Sequence, residues 1–126
     1  REAGADVITL TGDVHSFWAN ELTDAQGNRI GTEFVGSSVT SPAPFSSFAA
    51  PGVDYGQMMR DANPDVAHCN MVDHGYIRLT LTPGEAQADY VTVSTILQRD
   101  YRAGLDSQWR IGRPSNGSVP RVERLG

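Results

Sequence analysis

The chain has 126 residues, of which 39% are hydrophobic and 20% are charged, so it can form a core and is not an intrinsically disordered segment. Its net charge of −5 argues against a specific nucleic-acid partner, and no apolar run is long enough to span a membrane. All ten basic residues are arginines. Six of them follow residue 97, where the net charge is +3, against −8 for the rest of the chain. We therefore expect a body formed by residues 1–98 and an irregular, arginine-rich tail, 99–126, that packs on it, although an arginine patch of this kind also suits phosphate.

The first half of the chain predicts three strands. Residues 1–6 are polar and have no signal-peptide pattern, whereas residues 7–11 are apolar and β-branched and predict a buried strand. Residues 17–22 and 30–39 flank a segment of turn-forming residues at 24–28, which predicts a hairpin over 17–39. Residues 41–52 are rich in Ser, Pro and Ala and predict a loop.

The second half predicts one helix and three more strands. Asp54 can cap the helix, with Gln57 three residues later, and Asn63-Pro64 ends it. Strands are expected over 67–72, 76–82 and 88–96, with Pro83-Gly84 in the turn between the last two. The fold class is therefore α+β, mainly antiparallel β with one short helix. One apolar helix face should contain Tyr55, Met58, Met59 and Ala62.

An aspartate and a histidine follow the first strand, in the sequence Gly12-Asp13-Val14-His15. In an extended chain, residues i and i+2 point to the same side, so Asp13 and His15 would converge at the strand end. A carboxylate and an imidazole at one rigid edge suit a divalent or trivalent metal. A turn aspartate followed by a surface histidine is the alternative, because this tetrapeptide is too short to be specific.

Four other residues invite a chemical role in the sequence. Ser16 lies too close to Asp13 and His15 to form a catalytic triad, whose members converge from separate segments. His68 is expected on a half-exposed strand and Cys69 in the core. His74 follows Asp73 at a strand start, where it either orients a ligand or belongs to a turn.

Two serines, Ser37 and Ser38, lie in the run Gly36–Pro42, which begins near the end of the second predicted hairpin strand. Their hydroxyl groups and the backbone amides of this run could contact an anion such as phosphate, or the run could be a plain loop. Together with His74, these serines are the candidate residues close to substrate.

Several stretches together resemble the PhoD-like phosphatases (alkaline phosphatase D) of the calcineurin-like metallophosphoesterases. They are residues 10–19, 32–42, 63–64 and 74–76, the last leading to Thr82-Pro83. The resemblance implies a four-layer α/β/β/α sandwich, hydrolysis of phosphate monoesters and diesters, and secretion or a periplasmic location. It also implies that His15 binds iron and that Asp13 binds calcium.

The family's upstream ligand motifs have no match here, because only 12 residues precede Asp13. By resemblance the chain is the C-terminal part of such an enzyme, and the N-terminal remainder or a second chain would complete the site. Alone it should be inactive and hold no metal. The alternatives are a non-catalytic β-sandwich binding module and a degenerate partner subunit. If one sheet face is left uncovered, the candidates to lie on it are Phe17, Trp18, Phe34, Tyr76 and Tyr90.

Overall fold

The structure, a computed structural model, describes residues 7–44, 46–115 and 118–126. The polar segment 1–6 lies outside the described residues. Eight strands and one helix follow each other in the order β1 Val7–Thr11, β2 Phe17–Thr23, β3 Arg29–Val35, α1 Tyr55–Ala62, β4 Val66–Asn70, β5 His74–Leu81, β6 Glu85–Val93, β7 Ala103–Gly112 and β8 Glu123–Leu125. Mainly antiparallel β structure with one short helix is thereby confirmed.

The strands form two four-stranded sheets. The first has the order β1-β3-β2-β4 and the second the order β5-β6-β7-β8. The second sheet is antiparallel throughout, as are the β2–β3 hairpin and the β2–β4 pair. The exception is β1, which pairs with β3 in parallel, from Val7 opposite Gly31 to Thr11 opposite Val35. The expectation of a purely antiparallel order is wrong at this strand.

The core lies between the two sheets. Alternate residues of β2 and β3 point inward from the first sheet, and alternate residues of β6 and β7 point inward from the second. The buried cluster consists of Phe17, Ala19, Phe34, Ala88, Tyr90, Trp109 and Val122.

Tyr90 joins the two sheets at the centre of this core. Its ring makes edge-to-face contacts with Phe17 and Phe34, and its hydroxyl donates a 2.7 Å hydrogen bond to the carbonyl of Trp18. Burial therefore raises the pKa of the Tyr90 hydroxyl, as do the charges of Asp106 and Glu33.

The prediction that aromatic residues lie on an uncovered sheet face is wrong for three of the five candidates. Phe17, Phe34 and Tyr90 are fully buried within the chain, because the two sheets cover each other. Trp18 lies half-buried on the opposite face of its strand, and Tyr76 is exposed on β5.

The segment 103–112 is a regular strand, so the prediction of an irregular tail is wrong there. Strand β7 lies between β6 and β8 and turns Ser107, Trp109 and Ile111 inward. Gln108 and Arg110 alternate with them, which is the period-2 pattern of a half-buried strand. The division of the chain at residue 98 stays a prediction.

The helix begins and ends where the sequence predicted. The Asp54 carboxylate accepts a hydrogen bond from the amide of Gln57, and Asn63 caps the other end. The face that meets β4 differs from the predicted one, since Met58 and Ala62 are exposed and Gly56 is buried. A Cβ atom at Gly56 would lie 2.3 Å from the Cys69 carbonyl oxygen, so the close approach depends on glycine. Among the described residues, no helix has the length and apolar character needed to cross a membrane.

Candidate functional site

The Asp13–His15 segment is a tight loop rather than a strand end. Strand β1 ends at Thr11, and β2 begins at Phe17. Because β3 lies between β1 and β2, the five intervening residues must cross over the end of β3, a span of about 9.5 Å at ordinary strand spacing. The backbone of Gly36, just after β3, donates a 2.9 Å hydrogen bond to the Thr11 carbonyl beneath this crossing.

The crossing forces two side-chain-bearing residues into the left-handed region. Asp13 has φ 74° and His15 has φ 56°, and no other non-glycine residue in the described part of the chain has a positive φ. The prediction that both extend from a strand is therefore wrong. Residues held in this region cost about 1 kcal/mol or more each, and such strain concentrates at functional sites.

The loop 12–16 lies at one edge of the first sheet together with two other loops. Strands β1, β3 and β4 run in the same direction, and only β2 runs against them. The carboxyl ends of three strands consequently share this edge, and they are followed by loops 12–16, 36–42 and 71–73. Ligand sites in open sheets commonly lie beyond the carboxyl ends of strands.

His15 is oriented by the second of these loops. Its Nδ1 atom lies 3.2 Å from the carbonyl oxygen of Pro42. A carbonyl can only accept, so Nδ1 carries a proton, and in the neutral ring Nε2 then has the lone pair. Within the described residues, neither Nε2 of His15 nor the carboxylate of Asp13 has a hydrogen-bond or ion-pair partner.

Ser16 cannot act as a nucleophile in this arrangement. It is fully buried, and its hydroxyl oxygen accepts a 2.7 Å hydrogen bond from the indole nitrogen of Trp18. A serine of this kind supports the turn into β2 and cannot reach a substrate.

The hydroxyls of the two candidate serines have structural partners. Ser38 Oγ accepts hydrogen bonds from the amides of Thr40 at 3.1 Å and Ser41 at 2.7 Å. Ser37 Oγ donates to the carbonyl of Asp73 at 3.0 Å. Both hydroxyls therefore shape the loop 36–42, and their role near substrate stays a prediction.

His74 lies beside the same loop, at the first residue of β5. The amide of Gly75 donates to the carbonyl of Ser38 at 3.1 Å, which holds this strand start against the loop. The Nδ1 atom of His74 is buried and has no hydrogen-bond partner among the described residues. The tertiary structure thus brings the loops carrying Asp13, His15, Ser37, Ser38 and His74 to one end of the molecule.

Asp13 and His15 fit part of a metal site. One carboxylate and one imidazole with unengaged donor atoms suit a hard or borderline cation. Across the described ranges, however, no group of three or more His, Cys, Asp or Glu side chains is placed to hold a metal ion. The remaining ligands of any such site must come from elsewhere.

A shallow cleft of about 290 Å³ opens beside the loop 12–16. Gly12 and Val14 of the loop line it together with Thr11, Trp18, Asn20, Glu33 and Val35. Asn20 donates to Glu33, but its carbonyl oxygen is buried without a partner in the described part of the chain.

A larger cleft, about 680 Å³, lies between α1 and the end of β4 and contains a polar cluster that sequence reasoning missed. His68 is buried, not half-exposed as expected, and its ring lies against those of Tyr90 and Trp109. Its Nε2 atom lies 2.8 Å from an Asp106 carboxylate oxygen. Strict alternation along β7 would place Asp106 on the face opposite Ser107, and the sequence carries no signal for the register shift at Tyr90/Val91 that leaves Asp106 unpaired in the β6–β7 ladder.

The cluster resembles a catalytic triad only in composition. Ser107 Oγ donates to the Asp106 carboxylate at 2.7 Å and lies 3.3 Å from Nε2 of His68, so the serine and the aspartate share one imidazole nitrogen. In a triad they occupy opposite nitrogens. Trp109 also donates to the serine hydroxyl. The cluster therefore has a structural role.

Two pKa shifts in this region agree with that role. Burial alone would raise the pKa of Asp106, but hydrogen bonds from His68, Ser107 and Asn70 outweigh it and lower the pKa from 3.8 to about 2. Burial raises the pKa of the Cys69 thiol from 9.0 to about 12, against the smaller effect of Arg60. Cys69 is buried as predicted, and a protonated thiol is inert as nucleophile and ligand.

Comparison with known proteins supplies the family. Residues 1–90 match the model of the PhoD-like phosphatases. The chain is 37% identical over 89 residues to alkaline phosphatase D of Bacillus subtilis (strain 168), a match that covers 68% of this chain and 14% of that protein. Its fold resembles that in a solved structure titled "Structure of PhoD", with a TM-score of 0.67 and 23% identity over 95% of this chain and 22% of the other. The chain thus spans about a seventh of its curated relative, and it belongs to the PhoD-like phosphatase family.

Proposed function

We propose that this chain is the C-terminal part of a metal-dependent phosphoric-ester hydrolase, in which the loop 12–16 supplies Asp13 and His15 as the last metal ligands. In the complete enzyme the two sheets described here form the central layers of a four-layer α/β/β/α sandwich. The N-terminal remainder, or a second chain, contributes the other ligands.

The observation that carries this proposal is the backbone of Asp13 and His15. A loop that served only to connect β1 and β2 could place glycine at either position at no steric cost. Instead, two chemically useful side chains occupy the only described left-handed non-glycine positions, at the edge where three strands end. Backbone strain that is retained at this edge of the sheet supports the interpretation that these two side chains are needed for function.

The chain's own residues have separate roles in this proposal. His15 offers Nε2 to an iron ion, and Asp13 offers a negatively charged oxygen to a second ion, calcium. When bound, the ions lower the pKa of a water molecule and stabilise the charge that develops on a phosphoryl group. The substrates are phosphate monoesters and diesters, and the enzyme acts outside the cytoplasm, in the periplasm or after secretion.

Hydrolysis of a chromogenic phosphodiester, with metal content measured on the same samples, tests the proposal. The complete translated polypeptide should hold metal and turn over substrate, and a chelator should remove both properties. The 126-residue chain by itself should show neither, because two ligands leave most of each coordination sphere to water. Turnover by the isolated chain, or full activity of the complete polypeptide after its metal is removed, would contradict the proposal.

A further inference from the structure

We infer that the loop 36–42 is a positioning element for the metal ligand His15, and that Ser38 is the residue that holds it in shape. The loop presents the Pro42 carbonyl to Nδ1–H of His15, which commits Nε2 to metal binding. This inference rests on the proposed function and specifies how the site is prepared before metal arrives.

The first step concerns the imidazole. The acceptor 3.2 Å from Nδ1 is a backbone carbonyl, which cannot donate. The neutral ring is therefore held in the Nδ1–H tautomer, whereas a histidine without such an acceptor favours the proton on Nε2 in water. Histidines that bind metals commonly donate their second ring nitrogen to a carbonyl or carboxylate, which fixes the ring and its tautomer.

The second step concerns what holds the carbonyl in place. Ser38 Oγ accepts from two consecutive amides, those of Thr40 and Ser41, and so closes a serine turn that ends at the residue before Pro42. Alanine at position 38 would leave both amides without this acceptor. The Pro42 carbonyl would then lose its defined direction toward His15.

The third step concerns the base on which this turn rests. The loop is anchored at its start by the hydrogen bond from Gly36 to the Thr11 carbonyl. It is anchored again by Gly75, whose amide donates to the Ser38 carbonyl. A Cβ atom at Gly75 would lie 1.9 Å from the Val91 carbonyl oxygen, so glycine is needed for β5 to start this close to the loop. The Ser38 turn is therefore fixed from both sides, and its remaining freedom lies toward Pro42.

The tautomer can be read directly by long-range ¹H–¹⁵N correlation spectra of the metal-free 126-residue chain labelled at histidine. The spectra are recorded at about pH 8.5, some two units above the pKa of a free histidine. His15 should show the Nδ1–H pattern, whereas His68, bonded to Asp106 through Nε2, should show the Nε2–H pattern. An unfolded chain would give one pattern for all its histidines. A wild-type His15 with its proton on Nε2 in the folded chain would overturn the inference.

Variants of the loop test the role of Ser38. Ser38→Ala should shift His15 toward the Nε2–H form, and Ser38→Thr should restore the Nδ1–H form because threonine can close the same turn. Thr40→Ala is the matched control, since it keeps the amide that donates to Ser38 Oγ. An unchanged His15 spectrum in Ser38→Ala would show that Ser38 does not act through the Pro42 carbonyl.

Metal affinity of the complete translated polypeptide provides the second readout. Equilibrium dialysis against ferric or manganous ion should give about tenfold to a hundredfold weaker binding for Ser38→Ala, with recovery in Ser38→Thr. If the polypeptide binds metal but Ser38→Ala binds it equally well, the positioning role is wrong and the proposed function stands. If His15 has the expected Nδ1–H tautomer but neither the parent polypeptide nor any variant binds metal, both the positioning role and the proposed function are wrong.

Discussion

Two aspartates, one within the second sheet and one at the edge of the first, have opposite surroundings. In the antiparallel sheet, Asp89 is almost fully buried and accepts hydrogen bonds from Arg78, Gln87 and Gln108. The first of several causes that lower its pKa is the hydrogen bond from Gln87. At the edge of the mixed sheet, Asp13 is exposed and has no such partner among the described residues.

The difference follows from topology. An antiparallel pair of strands can be connected by a short turn, such as the one in which Thr82 bonds to Glu85, and such a turn needs no strain. The parallel pair β1–β3 instead requires a crossing over a strand end, and the strained loop 12–16 results. Changes in the loop should therefore affect activity more than stability, and changes in the core should do the reverse.

The largest expected effect is on catalysis. In the complete polypeptide, His15→Ala and Asp13→Ala should each lower phosphodiester turnover by about a hundredfold or more, because each removes a metal ligand. The unfolding midpoint should stay near that of the parent, since neither side chain is part of the core. Turnover, bound metal and thermal unfolding should be measured on the same preparations. Ser16→Ala should be much milder, and loss of activity there with His15→Ala fully active would contradict the metal assignment.

The next largest effect is on stability, and it concerns the polar cluster of His68, Asp106 and Ser107. Asp106→Ala should lower the free energy of unfolding by about 3 kcal/mol, since it leaves His68 and Asn70 without their carboxylate partner. Denaturant unfolding measures this loss, and Asp100→Ala, which removes an exposed carboxylate, is the control. Once folded, the Asp106→Ala polypeptide should retain its metal.

The Asp106 contribution should depend on pH in a defined direction. Its pKa of about 2 in the folded protein is below the ordinary 3.8, so the stabilisation is complete above pH 3.8. It is lost as the pH falls from 3.8 toward 2, where the folded protein also takes up the proton. The stability difference between parent and Asp106→Ala should shrink over this interval, and a constant difference would argue against the carboxylate as its source.

A smaller effect is expected where the two sheets are joined. Tyr90→Phe keeps the ring contacts and removes the hydrogen bond to the Trp18 carbonyl, at a cost of about 1 kcal/mol. Tyr101→Phe is the matched control, because Tyr101 is exposed. Equal unfolding free energies for the two variants would mean that the hydroxyl does not contribute to holding the sheets together.

The smallest expected effect is an increase in the free energy of unfolding, whereas Asp106→Ala and Tyr90→Phe lower it. Asp13→Gly relieves a positive φ, so it should raise the free energy of unfolding by some tenths of a kcal/mol, up to about 1, although glycine also gains entropy in the unfolded chain. The same variant should lose activity as Asp13→Ala does. A protein that is slightly more stable and inactive would identify strain maintained for function, whereas lower stability would show that the Asp13 conformation is not strained.

The local elements of this protein could be read from the sequence because their signals are local. The β-branched run at 7–11, the turn residues at 24–28 and 83–84, and the Asp54 cap all act within a few residues, and each element is found where it was predicted. The predicted burial of the first strand is wrong, because β1 lies at the edge of its sheet and Val7 and Leu10 are exposed. Strand β7 was missed because its first half, 103–106, has no buried residue, so the alternation is confined to the second half and covers only Ser107, Trp109 and Ile111.

The turn signals predict the hairpin pairs β2–β3 and β5–β6, whereas the pairing of β1 with β3 and of β2 with β4 was decided by the tertiary structure. The sequence identifies Asp13 and His15 as chemically notable, but their left-handed backbone follows from the insertion of β3 between β1 and β2. The contacts of His15 with Pro42, Gly75 with Ser38, and His68 with Asp106 join residues that lie 27 to 38 positions apart. The first of these contacts depends on which strands are neighbours in a sheet and the other two on how the two sheets stack, whereas the period of a single strand specifies only which face each residue occupies.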